Sequence, residues 1–250
     1  MRIVIIGNGN VATVLGRRFK ERHQIVQVIS RNIEHARVLA NELGAAAADL
    51  KDPVNADADM YFFAISDAGL YDLAEMFKLG DKLAVHSAGS VPMDILKNVS
   101  SNYGVLYPLQ SLKKDLEEIK EIPFLVDANS EENVGILENL AKEICPMVER
   151  CNDDTRLKAH VAAVFINNFT NHLYLQAEDF CNKEHINFDL LKPLLMETAH
   201  RILAHSPKEV LTGPAVRNDT FTLEKHLRAL VNHPKQKYLY MKLTDSIISK

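Results

Sequence analysis

The chain has 250 residues, 47% of them hydrophobic and 25% charged, which is enough apolar material for one large domain or two modest ones. Its net charge of −4 excludes a global basic field that would draw it to nucleic acid or anionic lipid, and its longest apolar runs, Ile3–Ile6 and Ala159–Ile166, are far too short to span a bilayer. Three cysteines (Cys145, Cys151 and Cys181) form no C-x-x-C and leave an odd thiol, and no signal-type stretch opens the chain, so a reducing cytoplasmic setting is expected.

Glycine punctuates the first part of the chain: nine of the ten lie at or before Gly135, and the only later one is Gly213. The pattern predicts strands at Arg2–Ile6, Gln24–Ser30, Met60–Ile65, Lys82–Ser87, Gly104–Tyr107, Phe124–Asp127 and Met147–Cys151. Helices are predicted between them at Val11–Arg22, Ile33–Leu43, Asp67–Phe77, Pro92–Asn98 and Glu131–Ile144. Near-continuous apolar strands alternating with helices argue for a doubly wound parallel sheet. From Asp153 onward the period changes. Thr155–Cys181 contains neither Gly nor Pro and reads as one helix about 40 Å long at 1.5 Å per residue. Further helices are predicted at Phe188–Ala204, Pro207–Leu211, Thr220–Val231 and Lys235–Ser249. The expected architecture is an α/β domain over residues 1–151 followed by an all-α domain over 152–250, with a ligand between them at the carboxyl ends of the strands.

The first strand runs straight into Gly7-Asn8-Gly9-Asn10-Val11-Ala12 and then a helix, which is the context that the G-x-G-x-x-[GA] pattern needs. Gly7 allows a tight turn, Gly9 lets backbone approach a pyrophosphate, and small Ala12 permits close helix–strand packing. The helix N-terminus then offers free N–H groups to phosphate. About 20 residues on, where an NAD-binding chain places an acid, this one has Ser30-Arg31-Asn32. Arg31 suits a 2′-phosphate, with Ser30 and Asn32 able to donate to it, so NADP is preferred over NAD.

Other strand ends face the same crevice. Ile65, Ser66 and Asp67 are expected under the cofactor, as are Ser87, Ala88 and Gly89, whereas Ser90 and Gln110 are assigned to substrate. His86 has two readings: a hydrogen-bonded structural residue, or a general acid that orients a carbonyl. In the long helix, His160, Asn167 and Asn171 lie within about 40° at 100° per residue. Such polar groups on an apolar helix need partners, which a substrate cleft or neighbouring helices would supply. Gly213-Pro214 breaks the helical pattern, Asp219 or Thr220 can cap the next helix, and Arg217 in that loop would clamp a carboxylate or form a structural ion pair. Seven of the ten histidines lie at or after His160, but no H-E-x-x-H or comparable spacing marks a metal site.

The stretches Gly7–Ala12, His86-Ser87-Ala88-Gly89-Ser90, Tyr107-Pro108-Leu109-Gln110-Ser111, Lys158-Ala159-His160 through Asn167, and Thr212-Gly213-Pro214-Ala215 with Arg217 and Asp219 carry a resemblance over essentially the whole chain. It resembles the Rossmann-like proteins with a DUF2520-type helical C-terminal domain, labelled NADP or coenzyme F420-dependent-type oxidoreductases. More distantly it is similar to ketopantoate reductase, pyrroline-5-carboxylate reductase and the 6-phosphogluconate dehydrogenase-like group. The resemblance implies nicotinamide binding, with F420 less favoured, and a helical domain that forms a homodimer. The distant relatives carry a catalytic Lys four residues before an Asn on the long helix, whereas this chain has Ala163 or Val164 there. The expected function is NADP-dependent hydride transfer to a small carbonyl or imine, with His160 or His86 as proton donor, Asn167 and Asn171 orienting the substrate, and Arg217 holding an anionic group. The missing Lys keeps open a second reading, a non-catalytic NADP(H)-binding sensor or partner-binding protein.

Overall fold

The computed structural model describes residues 1–73, 76–116 and 121–249, in two compact units, Met1–Asn167 and Asn168–Lys250. The division expected at 151/152 lies later in the chain, inside a helical segment, because the helix beginning at Asp153 packs on the first unit.

The first unit is built on eight strands: β1 Arg2–Ile6, β2 Gln24–Ser30, β3 Ala46–Asp49, β4 Met60–Phe63, β5 Gly80–His86, β6 Ser100–Pro108, β7 Phe124–Ala128 and β8 Val148–Arg150. They form one sheet in the order β3-β2-β1-β4-β5-β6-β7-β8. The first six run parallel, β7 pairs antiparallel with β6, and β8 runs parallel to β7. The sheet is thus mostly parallel, with a reversed edge that strand patterns alone do not disclose. Strand order reverses between β1 and β4, which opens a crevice above Ile6 and Phe63.

Alternation along β1 sorts the core. Ile3 and Ile5 face one layer, with α1 (Asn10–Lys20), α2 (Ile33–Leu43) and α4 (Glu131–Lys142), whereas Val4 and Ile6 face the other. That second layer includes Leu70 of α3 (Asp67–Leu73) and Leu96 of a short 3-10 turn, Met93–Leu96. Of the helix expected at Asp67–Phe77, Asp67–Leu73 is helical and residues 74–75 lie outside the described residues, whereas Pro92–Asn98 contracts to that 3-10 turn. Helix starts are capped as the sequence suggests: Asn32 accepts from Glu34 and His35 N–H, and Ser130 accepts from Asn133 N–H.

The long helix is three segments: α5 (Asp153–Ala163), a π-helical stretch (Val164–Phe169) and α6 (Thr170–Lys183). A π turn takes an extra residue per turn, so the 100° spacing that aligned His160, Asn167 and Asn171 does not hold across it. The second unit comprises α6, a 3-10 turn at Phe188–Leu191, α7 (Lys192–Ala204), α8 (Pro207–Val210), α9 (Thr220–Ala229) and α10 (Pro234–Ile248). Asp219, not Thr220, caps α9 through Thr222 N–H. Its internal ties include His233 Nε2 with Glu184 at 2.6 Å, His226 Nδ1 with the Tyr240 hydroxyl at 2.7 Å, and Gln236 donating to Asp179 at 2.7 Å. Among the described residues no helix is long and apolar enough to cross a membrane, and no group of three or more His, Cys, Asp or Glu could hold a metal ion.

Candidate active site

At the crevice, β1 ends in a turn that only glycine tolerates. Gly7 has φ +123°, and a Cβ there would lie 2.2 Å from the Ala64 carbonyl oxygen. The two neighbouring strands are fixed to this turn by backbone bonds, Gly7 N–H to Ile29 O and Ala64 N–H to Ile6 O, both 2.8 Å. Gly9 is the N-cap of α1 with no side-chain cap and no acid in the first turn, and a Cβ on it would project into open space. Such a helix end presents backbone N–H groups and the positive dipole end to an anion, without a side chain competing for them. Ala12 is fully buried and Val11 packs on the same core, so these two contribute backbone only. Asn10 accepts at Oδ1 from Lys114 N–H, which ties the loop after β6 to the same turn.

A cavity of about 260 Å³ opens beside this turn, and Asn8, Gly9, Ser30, Arg31, Ile65 and Ser66 are among its walls. The Arg31 guanidinium is 62% exposed and lies 3.6 Å from the likewise exposed Asp72 carboxylate. An exposed pair of this kind is weak, so Arg31 is available to a stronger anionic partner. Ser30 is buried and its hydroxyl accepts from Asn32 N–H at 3.3 Å. Asn32 caps α2 through its Oδ1, which leaves the expected donor to a phosphate, Nδ2, outside the cap. The arrangement fits a dinucleotide carrying an extra phosphate on its adenosine ribose.

The neighbouring strand ends form a second cluster. Ser66 Oγ accepts from Gly69 N–H at the start of α3, and Asp67 accepts a hydrogen bond from Ser90 Oγ. Asp67 therefore joins the ends of β4 and β5 and is engaged with Ser90, not turned to a phosphate. Ser87, Ala88 and Gly89 are all buried, and Ala88 is part of the core beneath the sheet ends. His86 is fully buried. Its Nδ1 accepts from Ala88 N–H at 3.1 Å, and burial, with Arg156 adding to it, lowers its pKa to about 3. The ring stays neutral and shapes the turn that follows β5; of its two readings the structural one fits. Gln110 is likewise tied to its own loop, donating to Glu121 O and accepting from Ser111 N–H, which leaves it little to offer a substrate.

His160, the expected proton donor, is paired with a phenol. Its Nδ1 lies 2.8 Å from the Tyr107 hydroxyl, and the two rings stand edge to face with centroids 5.9 Å apart. Gly89 makes room for the pair, since a Cβ there would sit 3.0 Å from both the imidazole and the phenol ring. Tyr107 is 9% exposed, and burial pushes its phenol up from the ordinary value; Arg156 opposes this and Asp67 reinforces it. The phenol therefore stays protonated.

Helix α5 carries His160 to this place through an anchor one turn earlier. Asn152 caps the helix through Thr155 N–H, and Arg156, 1% exposed, donates from Nη2 to the Val91 carbonyl at 2.5 Å and to Asp153 at 2.7 Å. Asp153 in turn accepts from Met93 N–H. Arg156 and His160, four residues apart, share a helix face, so fixing one aims the other. Sequence reasoning missed Tyr107 and Arg156. Their available signals were the i, i+4 spacing of Arg156 to His160 and the in-out alternation of β6, which puts Val105 and Tyr107 on one face. Asn167 is exposed in the π segment at the end of the first unit. Asn171 and Arg217 belong to the second unit and are both exposed there.

Two family models match the chain. The family model for a domain of unknown function, DUF2520, matches residues 122–247, and that of the coenzyme F420-dependent NADP oxidoreductases matches residues 2–88. A structure from Bacteroides fragilis, described as a "putative NADP oxidoreductase", is 37% identical with a TM-score of 0.91, over 100% of this chain and 98% of that one. At fold level only, an imine reductase from Myxococcus stipitatus in complex with NADP+ is 15% identical with a TM-score of 0.67, over 100% of this chain and 92% of that one. A 1-pyrroline-5-carboxylate reductase from Streptococcus pyogenes is 13% identical with a TM-score of 0.64, over 100% and 99%. No curated protein matches the sequence. With a dinucleotide cradle, a basic group at the end of β2 and a family model over half its length, the chain belongs to the DUF2520 family of Rossmann-type oxidoreductases.

Proposed function

We propose that the protein is an NADPH-dependent reductase of a small compound bearing a C=N or C=O bond. The observation that carries this reading is the His160–Tyr107 pair, held at 2.8 Å where β5 and β6 end, on the same carboxyl edge of the sheet as the Gly7–Gly9 cradle that follows β1. An imidazole is the side chain that exchanges protons near neutral pH, and a reduction of C=N or C=O needs one proton for the heteroatom. NADPH, when bound, supplies the hydride for carbon. The chain's own residues do the rest. Gly7, Gly9 and the first turn of α1 hold the pyrophosphate, Arg31 and Ser30 hold the 2′-phosphate, and His160 hands the proton to the heteroatom. Asn167 and Asn171 are assigned to orienting the substrate and Arg217 to an anionic group on it. The protein works as a homodimer formed through its helical unit.

Titration calorimetry with NADPH, NADH and F420, followed by turnover on a panel of cyclic imines and small ketones, tests the reading. NADPH is expected to bind about tenfold or more tighter than NADH, an advantage that Arg31→Ala removes. His160→Ala is expected to lower kcat about 100-fold with NADPH affinity unchanged. Binding of F420 alone would overturn the cofactor assignment. NADPH binding with no turnover across the panel would favour the sensor.

A further inference from the structure

We propose that Tyr107 is the positioning residue of this site, pinning the His160 ring so that Nδ1 faces the phenol and Nε2 is the nitrogen presented to substrate. The proposal rests on the reading of His160 as proton donor and adds to it which nitrogen acts and why.

Three observations converge on it. The Tyr107 hydroxyl is 2.8 Å from Nδ1, so that nitrogen is occupied whichever way the proton lies. Tyr107 is itself fixed, being 9% exposed in a small core with Val105 and Leu125 against which Ala159, the residue before His160, also packs. Gly89 closes the third side, because its missing Cβ is the space that lets the two rings meet.

A neutral hydroxyl does something that a carboxylate in the same place would not. A carboxylate only accepts, so it favours the imidazolium; a phenol accepts from Nδ1–H of the imidazolium and donates to the bare Nδ1 of one neutral tautomer. Tyr107 therefore holds the ring in the same orientation before and after proton transfer. In the transfer itself the Nε2–H bond of the imidazolium breaks and the proton joins the substrate nitrogen or oxygen as the neighbouring carbon receives hydride. The imidazole left behind first carries its remaining proton on Nδ1, donated to the Tyr107 oxygen; Nε2 regains a proton from water, and the resting neutral ring, in which the Tyr107 hydroxyl donates to a bare Nδ1, is the Nε2–H tautomer. Tyr107 gives up no proton in this cycle, in keeping with a buried phenol that resists ionisation.

The test is nitrogen-15 NMR of histidine-labelled protein above neutral pH, with His160 assigned by its loss in His160→Ala, for wild type, Tyr107→Phe and Gly89→Ala. In wild type the neutral His160 ring is expected as a single Nε2–H tautomer, with the Tyr107 hydroxyl donating to Nδ1. Tyr107→Phe is expected to give a mixture of tautomers and to lower kcat about tenfold, leaving KM and NADPH affinity within twofold. Gly89→Ala, which separates the rings without removing the hydroxyl, is expected to give the same mixture. A single Nε2–H tautomer retained in Tyr107→Phe overturns the proposal whatever the kinetics. Full turnover in His160→Ala would instead defeat the proton-donor reading, while the tautomer result alone decides the role of Tyr107.

Discussion

His86 shows what burial does to a residue that sequence position alone marks as reactive. Its folded-state pKa is lowered to about 3 by burial first and by the Arg156 charge second, against an ordinary value of 6.5. Below pH 6.5 the unfolded chain therefore takes up a proton that the native chain refuses. Stability from this group is complete above pH 6.5 and is lost as pH falls toward 3. At 1.36 kcal/mol per unit, the loss between pH 6.5 and 4.5 is about 2–3 kcal/mol. His86→Asn keeps an acceptor for Ala88 N–H but does not titrate. Urea unfolding at pH 7 and 4.5 is expected to show wild type losing about 2–3 kcal/mol more than the variant, and equal losses would reject the assignment. At this scale the positive-φ turn at Gly7, the uncapped helix start at Gly9 and the place of Arg31 at the cavity were legible because backbone conformation and a charge at a strand end are written locally. The fates of His86 and Gln110 were not, since the first depends on burial beneath the sheet ends and on Arg156, and the second on how its loop folds back to the Glu121 carbonyl.

Elements were legible where local chemistry defines them. Ile33–Leu43 and Gln24–Ser30 stand as read, the first between an Asn cap and a left-handed glycine. β3, by contrast, is Ala46-Ala47-Ala48-Asp49, a poor strand former that is a strand because β2 pairs with it. The π stretch at Val164–Phe169 leaves no Gly or Pro to announce it, so periodicity carried one helix straight through. α5 has a further dependence that its sequence conceals: it docks by a buried guanidinium. Removing the Asp153 carboxylate would leave Arg156 unpaired in the interior and strip Met93 N–H of its acceptor. Asp153 is half exposed, so the cost belongs at the low end for a broken buried pair, about 2–3 kcal/mol. Asp153→Ala is expected to destabilise the protein by that amount in chemical denaturation. It should also lower kcat through His160 while NADPH affinity holds, because the cradle stands on other elements. A loss of NADPH binding equal to the loss of kcat would refute α5 as a separate support.

The whole chain raises a question of coverage. A helical layer must bury an apolar face against something. In the second unit only Cys181, Ala215, Leu223 and Leu230 are buried apolar residues among those described. Large apolar side chains stay exposed on several of its helices: Leu194 at 63% and Leu203 at 85% on α7, Phe221 at 68% on α9 and Tyr238 at 61% on α10. Exposed apolar surface on this scale is what an obligate interface between chains would bury, the kind that resembles a domain core cut in half. A second copy of the same chain offers the matching surface under twofold symmetry without needing any other partner. Each such leucine contributes roughly 1.5–3 kcal/mol when buried, or about 10–100-fold in dissociation constant. Sedimentation equilibrium at micromolar concentration is therefore expected to give twice the mass of the chain. Leu194→Glu with Leu203→Glu should shift it toward monomer and make thermal unfolding concentration-independent. Wild-type protein that stays monomeric at tens of micromolar would reject the homodimer and require a different chain to cover these helices.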